Sequence, residues 1–178
     1  MAARTSLPRS ASAALLVAAA SLPAACSREA AATYRRTPAN VVFIVIDTLR
    51  ADAVGAYGSP RPTSPNLDAL AARSLVFERA FASAPWTLPS VATLFTGTYP
   101  SLHGQTECEG PQAQLPGDLL TLAEVLGAAG YDTAAFSAHP WVSPPFGLGQ
   151  GFAEGAFHVF GVPGGDAQVT QAATAWLR

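Results

Sequence analysis

The sequence predicts an α/β fold, in which strands and helices alternate along the chain. Three segments rich in β-branched and aromatic residues, 41–46, 75–81 and 131–137, have the length and composition of strands. Helical patterns lie between and after them, which gives the order strand, helix, strand, helix, strand. This order favours a parallel sheet with right-handed crossovers. The hydrophobic content of 49% is sufficient for a core.

Residues 1–26 have the pattern of a targeting segment. Arg4 and Arg9 precede an apolar run at 11–20, which is too short to span a bilayer as a helix. The sequence LPAAC at 22–26 resembles the lipobox of bacterial lipoproteins, in which Cys26 would carry the lipid, although Pro23 departs from the usual residue. The alternative is a secretory signal cut near Ala25. Both predict export to the periplasm or outer surface, and residues 27–40 read as a tether before the folded part, 41–178.

The first predicted strand, VVFIVI at 41–46, is followed directly by an acidic residue, Asp47. An unbroken run of this kind is typical of a strand buried on both faces of a parallel sheet. Ligands of open α/β sheets bind beyond the carboxyl ends of the strands, so Asp47 is a candidate metal ligand. A helix-capping or turn aspartate is the alternative.

The next elements are a short helix and a strand. Ser64 followed by Pro65 is a helix start, and the apolar spacing predicts a helix to about Arg73. Residues 75–81 then read as the second strand.

Thr87 lies between two prolines, Pro85 and Pro89, and directly before an apolar segment of helical character that ends at Gly97. Pro89 is suited to a first helical turn, whose free amides stabilise anions. We therefore predict that Thr87 is a nucleophile toward a sulfate, phosphate or phosphonate group. The alternative is a threonine that caps the helix.

Two further helices and one strand complete the prediction. TLAE at 121–124 has the pattern of a capping box, so a helix is expected from about Leu122 to Ala129, stopped by Gly130. The third strand follows at 131–137, then a glycine- and proline-rich loop, and Asp166 is expected to cap a last helix through 178.

Composition excludes several other classes of protein. The net charge of -2 provides no electrostatic footprint for nucleic acid. The two cysteines, Cys26 and Cys108, are too few for a disulfide scaffold and lack the spacing of a structural zinc site.

Several blocks of the sequence resemble the sulfatase family of the alkaline-phosphatase superfamily, in its order and spacing. They are NVVFIVIDTLRAD at 40–52, YG at 57–58, SPNLDAL at 64–70, PS at 89–90, TG at 96–97, YP at 99–100, HG at 103–104, TLAE at 121–124 and GYDTA at 130–134. The resemblance covers about residues 40–178. It implies the N-terminal part of a doubly wound, mostly parallel sheet and a metal-dependent ester hydrolase.

The resemblance also implies roles for individual residues. Asp47 matches the aspartate that binds the active-site divalent cation, and Thr87 falls at the head of the family's Cys/Ser-x-Pro-x-Arg motif. A threonine cannot give formylglycine, and Val91 replaces the motif's arginine, so formylglycine is not expected. Threonine nucleophiles resemble those of phosphoethanolamine and phosphoglycerol transferases of cell envelopes. A direct alkoxide mechanism on a phosphate or phosphonate ester fits Thr87 better than sulfate hydrolysis does.

Other positions depart from the family pattern. Thr48 stands where many sulfatases have a second metal-binding aspartate, and Ser137-Ala138-His139 stands where they often have Lys-Trp-His. His139 is therefore a candidate substrate-binding residue. The family's remaining ligands lie in later blocks, so we expect this chain to be the N-terminal part of an enzyme. The cation expected is calcium, magnesium, manganese or zinc.

The function predicted is hydrolysis of sulfate or phosphate/phosphonate esters by a sulfatase-like, metal-dependent enzyme. Two alternatives are an envelope transferase of phospho-headgroups with a threonine nucleophile, and a truncated lipoprotein without activity. The expected partners are a small-molecule, glycan or lipid ester and, through the lipid anchor, a membrane.

Overall fold

The computed structural model describes residues 39–161 and 164–178, and the signal segment with Cys26 lies outside these ranges. The chain divides into two compact units, 1–44 and 45–178. Residues 39–44 carry no regular secondary structure. All the helices and strands below belong to the second unit.

The described residues of the second unit form five α-helices and one two-stranded parallel sheet. The helices are α1 (Pro65–Ala71), α2 (Thr87–Thr96), α3 (Pro100–His103), α4 (Leu122–Ala128) and α5 (Gly165–Trp176). The strands are β1 (Ala135–Ser137) and β2 (Phe157–Val159), paired so that Ala135 lies opposite Phe157. The α/β class is thus confirmed at the coarse level. In the described ranges, no helix is both long and apolar enough to cross a membrane.

The predicted helices form where local sequence signals specify their ends. α1 begins at the predicted Pro65, and α4 begins after a complete capping box between Thr121 and Glu124. Gly130 has a φ of 87°, as its predicted role after α4 requires. Asp166 is not the cap of α5, because Gly164 occupies that position and Asp166 lies inside the first turn.

The strand predictions at 41–46 and 75–81 are wrong for the described chain. Neither segment forms a ladder with another described segment, and their apolar side chains are exposed, from Val76 at 38% to Phe81 at 88%. A strand is stabilised by hydrogen bonds to neighbours, so a strand-like composition alone does not produce one. The predicted strand 131–137 shortens to β1. Its partner β2 lies in the segment expected to be a loop.

The core of the second unit lies under one face of α2. Leu88, Val91 and Ala92 of this helix are buried together with Leu115 and Leu148 from two later loops. These loops are joined by the amide of Gln105, which donates to the carbonyl oxygens of Ala113 and Phe146 at 2.7 Å each. The loops therefore fix α2, whose first residue is Thr87.

Candidate functional site

Thr87 is the first residue of α2, and its hydroxyl does not cap this helix. Trp86 occupies the N-cap position with an extended backbone and makes no side-chain cap hydrogen bond. Pro89 follows in the first turn, where a missing amide proton costs nothing. The Thr87 hydroxyl donates instead to Oδ2 of Asp47, at 3.0 Å. The capping alternative for Thr87 is therefore wrong.

Asp47 lies in a turn with Thr48 and is joined to two of the predicted site residues. Its Oδ2 accepts the Thr87 hydroxyl and lies 3.7 Å from Nε2 of His139. The side chains of His139 and Asp47 are 35% and 41% exposed, which leaves them open to a ligand. Because the Asp47 carboxylate accepts a side-chain hydroxyl and not a helix amide, it is not a helix cap. The side chains of Thr87 and His139 thus both lie next to the same carboxylate oxygen of Asp47.

The orientation of the His139 ring is fixed by the chain that follows β1. Its Nδ1 accepts the backbone amide of Trp141 at 3.2 Å, so in the neutral ring the proton is on Nε2, which faces Asp47. The hydroxyl of Ser137, at the end of β1, accepts the amide of His139 and donates to its carbonyl oxygen, both at 3.1 Å. His139 therefore turns its Nε2–H toward Asp47, at a distance longer than a hydrogen bond.

Two tryptophans complete the surroundings of Thr87. Trp141 lies 5.3 Å from the ring of His139 and makes an edge-to-face contact with Trp86, at 5.5 Å between ring centroids and 86° between planes. Trp86 is covalently bonded to Thr87. The contacts thus run in a closed circuit through Thr87, Asp47, His139, Trp141 and Trp86, which we call the Thr87 circuit.

The described residues do not by themselves hold a divalent cation. Such cations take several ligands, and residues 39–161 and 164–178 contain no group of three or more His, Cys, Asp or Glu side chains suited to one. Asp47 offers one carboxylate, whose Oδ1 has no hydrogen bond within the described part of the chain. His139 presents its Nε2 proton, and not a lone pair, toward Asp47.

One surface cavity of the second unit is separate from the Thr87 circuit. It measures about 260 Å³ and lies along α2, lined among others by Phe81, Ser90, Thr93 and Tyr99. Thr87 is not among its lining residues. The lining of this cavity contains no carboxylate or imidazole, whereas the Thr87 circuit contains both next to a hydroxyl.

Arg50 and Asp52 bind each other at the surface. The guanidinium donates to both carboxylate oxygens, at 2.9 and 2.5 Å. This hydrogen bonding raises the pKa of Arg50 and lowers the pKa of Asp52. Both side chains are highly exposed, so they belong to the surface and not to the Thr87 circuit.

Two structural features at or beside the site gave no usable signal in the sequence. Trp141 acts through its backbone amide, which every residue except proline has. Thr48 has a φ of 54°, a left-handed conformation that a β-branched residue rarely adopts. Composition and motif spacing carry no information on either feature.

In comparisons with known proteins, the chain is similar to sulfatases. The family model described as Sulfatase matches residues 39–174. The ulvan-active sulfatase of Formosa agariphila is 38% identical over 98 residues, which are 55% of this chain and 19% of that protein. The arylsulfatase A of Homo sapiens is 39% identical over 99 residues, 54% of this chain and 20% of that protein.

A third relative aligns over a similar share of both chains. The N-acetylgalactosamine-6-sulfatase of Homo sapiens is 32% identical over 104 residues, 53% of this chain and 20% of that protein. The aligned part thus spans about a fifth of each of these relatives. No solved structure matches the chain significantly.

Proposed function

The chain belongs to the sulfatase family, and from that premise we propose that it forms the nucleophile-bearing part of a hydrolase of sulfate or phosphate/phosphonate esters. The observation that carries the proposal is the hydrogen bond from the Thr87 hydroxyl to Asp47, at the start of α2. A hydroxyl paired with a carboxylate that can accept its proton has the geometry of an activated nucleophile.

The proposed reaction begins with attack by Thr87. As its Oγ1 forms a bond to sulfur or phosphorus, its proton passes to Oδ2 of Asp47. The bond to the leaving oxygen breaks, and that oxygen keeps the electron pair and takes a proton from water to give the alcohol. The amide of Thr87 in the first turn of α2 donates to a non-bridging oxygen, and the helix dipole favours the negative charge there. Water then cleaves the covalent intermediate and returns the Thr87 hydroxyl.

The identity of the nucleophile favours phosphorus over sulfur. Oxidation of a threonine gives a ketone and not the aldehyde of formylglycine, so the hydroxyl itself must attack. Val91 lies buried in the core, where the family motif has an arginine, and supplies no charge. We propose a phosphate or phosphonate ester as the preferred substrate.

His139 is proposed to bind the substrate through its Nε2 proton. The Trp141 amide fixes this tautomer, so the ring can donate to a substrate oxygen near Asp47. The alcohol part of the ester is proposed to be a small molecule, a glycan or a lipid.

Sulfatases are generally metal-dependent, and we propose that Asp47 contributes one ligand to a divalent cation of calcium, magnesium, manganese or zinc. A bound cation would offset negative charge on the transferred group. Within residues 39–161 and 164–178, no group of three or more His, Cys, Asp or Glu side chains is placed to complete such a site.

We also propose that the protein is exported and carries a lipid on Cys26. This rests on the basic, apolar and small-residue pattern of residues 1–26. Labelling with a radioactive fatty acid in a bacterial host would test it: incorporation should occur, and Cys26→Ser should abolish it.

An envelope transferase is the second candidate function, because it too uses a threonine. The two functions differ in the acceptor of the transferred group, which is water for a hydrolase and an alcohol for a transferase. Product analysis in the presence of an acceptor alcohol separates them. A transferred headgroup on that alcohol, with little free phosphate, would favour the transferase.

The nucleophile assignment is tested by substitution of Thr87 in the full-length protein. Thr87→Ala should reduce turnover of activated aryl phosphates and sulfates by roughly 10³-fold or more, because the covalent step is lost. Thr174→Val, on α5, is the matched control and should leave turnover unchanged. Full turnover in Thr87→Ala would show that another group attacks the ester.

A further inference from the structure

Thr48 has a strained backbone in the described part of the chain. Its φ of 54° lies in the left-handed region, and no other described residue except glycine has a positive φ. A β-branched side chain is disfavoured there because Cβ crowds the backbone carbonyl. Such a conformation persists only where the surrounding structure enforces it.

Contacts made by neighbouring residues enforce this conformation. The amide and hydroxyl of Thr48 have no hydrogen-bond partner within residues 39–161 and 164–178, and the side chain is exposed. Asp47, directly before it, is bound to Thr87 and lies next to His139. On the other side, the turn Ala51–Ala53 leads into buried Val54. The chain is thus anchored before and after Thr48.

We propose that Thr48 is a positioning residue, whose left-handed backbone turns the chain so that the Asp47 carboxylate faces Thr87. This rests on the proposed pairing of Asp47 with Thr87 in the reaction. If the φ of Thr48 became negative, the backbone on one side of it would rotate relative to the other side. Asp47 could then not stay bound to Thr87 while Val54 stayed buried. The backbone conformation carries this role, and the Thr48 hydroxyl does not.

Four substitutions separate the backbone from the side chain. Thr48→Val keeps the shape and removes the hydroxyl, whereas Thr48→Asn and Thr48→Gly introduce residues that adopt positive φ readily. Thr48→Pro fixes φ near −65° and so excludes the left-handed region. Because the Thr48 amide donates no hydrogen bond to a described residue, the proline removes none of those bonds.

The readout is the carbon-13 resonance of the Asp47 side-chain carboxylate in the 178-residue chain. Thr87→Val should shift this resonance, because it removes the hydrogen bond that the carboxylate accepts. We expect Thr87→Val to produce the same shift when it is combined with Thr48→Val, with Thr48→Asn or with Thr48→Gly. When it is combined with Thr48→Pro the shift should be lost, while the amide resonances of α4 and α5 stay in place.

Two results would overturn the proposal. An undiminished response in Thr48→Pro would show that the left-handed turn is not needed, and a response lost in Thr48→Val would assign the role to the hydroxyl. As a second measurement, Thr48→Asn should raise the urea midpoint of unfolding by relieving strain. The resonance requires no turnover, so a failed nucleophile test would leave this outcome unaffected.

Discussion

At the scale of single residues, the described part of the chain contains two histidines held by hydrogen bonds, with different consequences. His139 is half-exposed and faces Asp47. His103 is fully buried, and both ring nitrogens are used: Nδ1 accepts the amide of Gln105 at 3.1 Å, and Nε2 lies 3.2 Å from the Thr93 hydroxyl. The first is a proposed substrate-binding residue, whereas the second is part of the packed interior.

The burial of His103 predicts that stability depends on pH. Desolvation lowers the pKa of His103, which a backbone contact with Pro89 partly opposes. The unfolded chain therefore takes up a proton near pH 6.5 that the folded chain resists. The free energy of unfolding should be highest above about pH 6.5 and fall as the pH drops toward the lowered pKa. Urea unfolding between about pH 5 and pH 8 measures it.

His103→Gln removes this contribution, so the slope of stability between about pH 5 and 6.5 should become smaller. His158 is exposed and stacks on Phe136, which makes His158→Gln the matched control. It should leave the slope unchanged. An equal loss of slope in both variants would argue against the assignment to His103.

At the scale of elements, the capping box of α4 is also the contact point of a later loop. The Thr121 hydroxyl accepts the amide of Glu124 and donates to the carbonyl oxygen of Gln150, at 3.2 and 3.1 Å. Gly151 follows, with a φ of 84°. The loop thus depends on a glycine that fits against the helix start.

Gly151→Ala should destabilise the fold strongly, because its Cβ would overlap the backbone amide nitrogen of Glu124. Gly155→Ala is the control: Gly155 also has a positive φ, of 76°, but a Cβ there meets no atom within 4 Å. Gly155→Ala should lower the free energy of unfolding only through backbone strain, by about 1 to 2 kcal/mol. Equal urea midpoints for the two variants would contradict the close approach.

The helices could be predicted from sequence because their signals are local. Pro65, Thr121 with Glu124, and Gly130 each act within one turn of the element that they limit. Strands depend on partners distant in sequence, which explains the errors at 41–46 and 75–81 and the missed β2. The candidate site residues Asp47, Thr87 and His139 are proposed from motif positions, and the structure brings their side chains together. The Thr48 conformation and the Trp141 amide could not be predicted in this way, because they arise from tertiary structure.

At the scale of the whole molecule, the second unit combines a small buried core with many exposed apolar side chains. Leu88 and Leu148 are fully buried, whereas Leu75 and Phe81 are more than four-fifths exposed. Exposed apolar groups of this number are associated with interaction or aggregation. The described chain should therefore tend to self-associate.

A pair of substitutions tests this division between core and surface. Phe81→Ser should change the free energy of unfolding by no more than about 0.5 kcal/mol, because this side chain is 88% exposed, yet reduce self-association. Leu88→Ala should cost about 2 to 5 kcal/mol, because it leaves a cavity in the core. Urea unfolding and light scattering measure the two effects. Self-association unaltered by Phe81→Ser would exclude that side chain as a contributor.

The Asp47 to Thr87 hydrogen bond joins residues 40 positions apart, and this separation has a kinetic consequence. A contact of this kind forms only after a long loop has closed, whereas α2 and the α4 capping box need only near neighbours. We expect the helix that carries Thr87 to form early and its pairing with Asp47 to form late in folding. The Thr87 hydroxyl would then meet the Asp47 carboxylate only once most of the chain is in place.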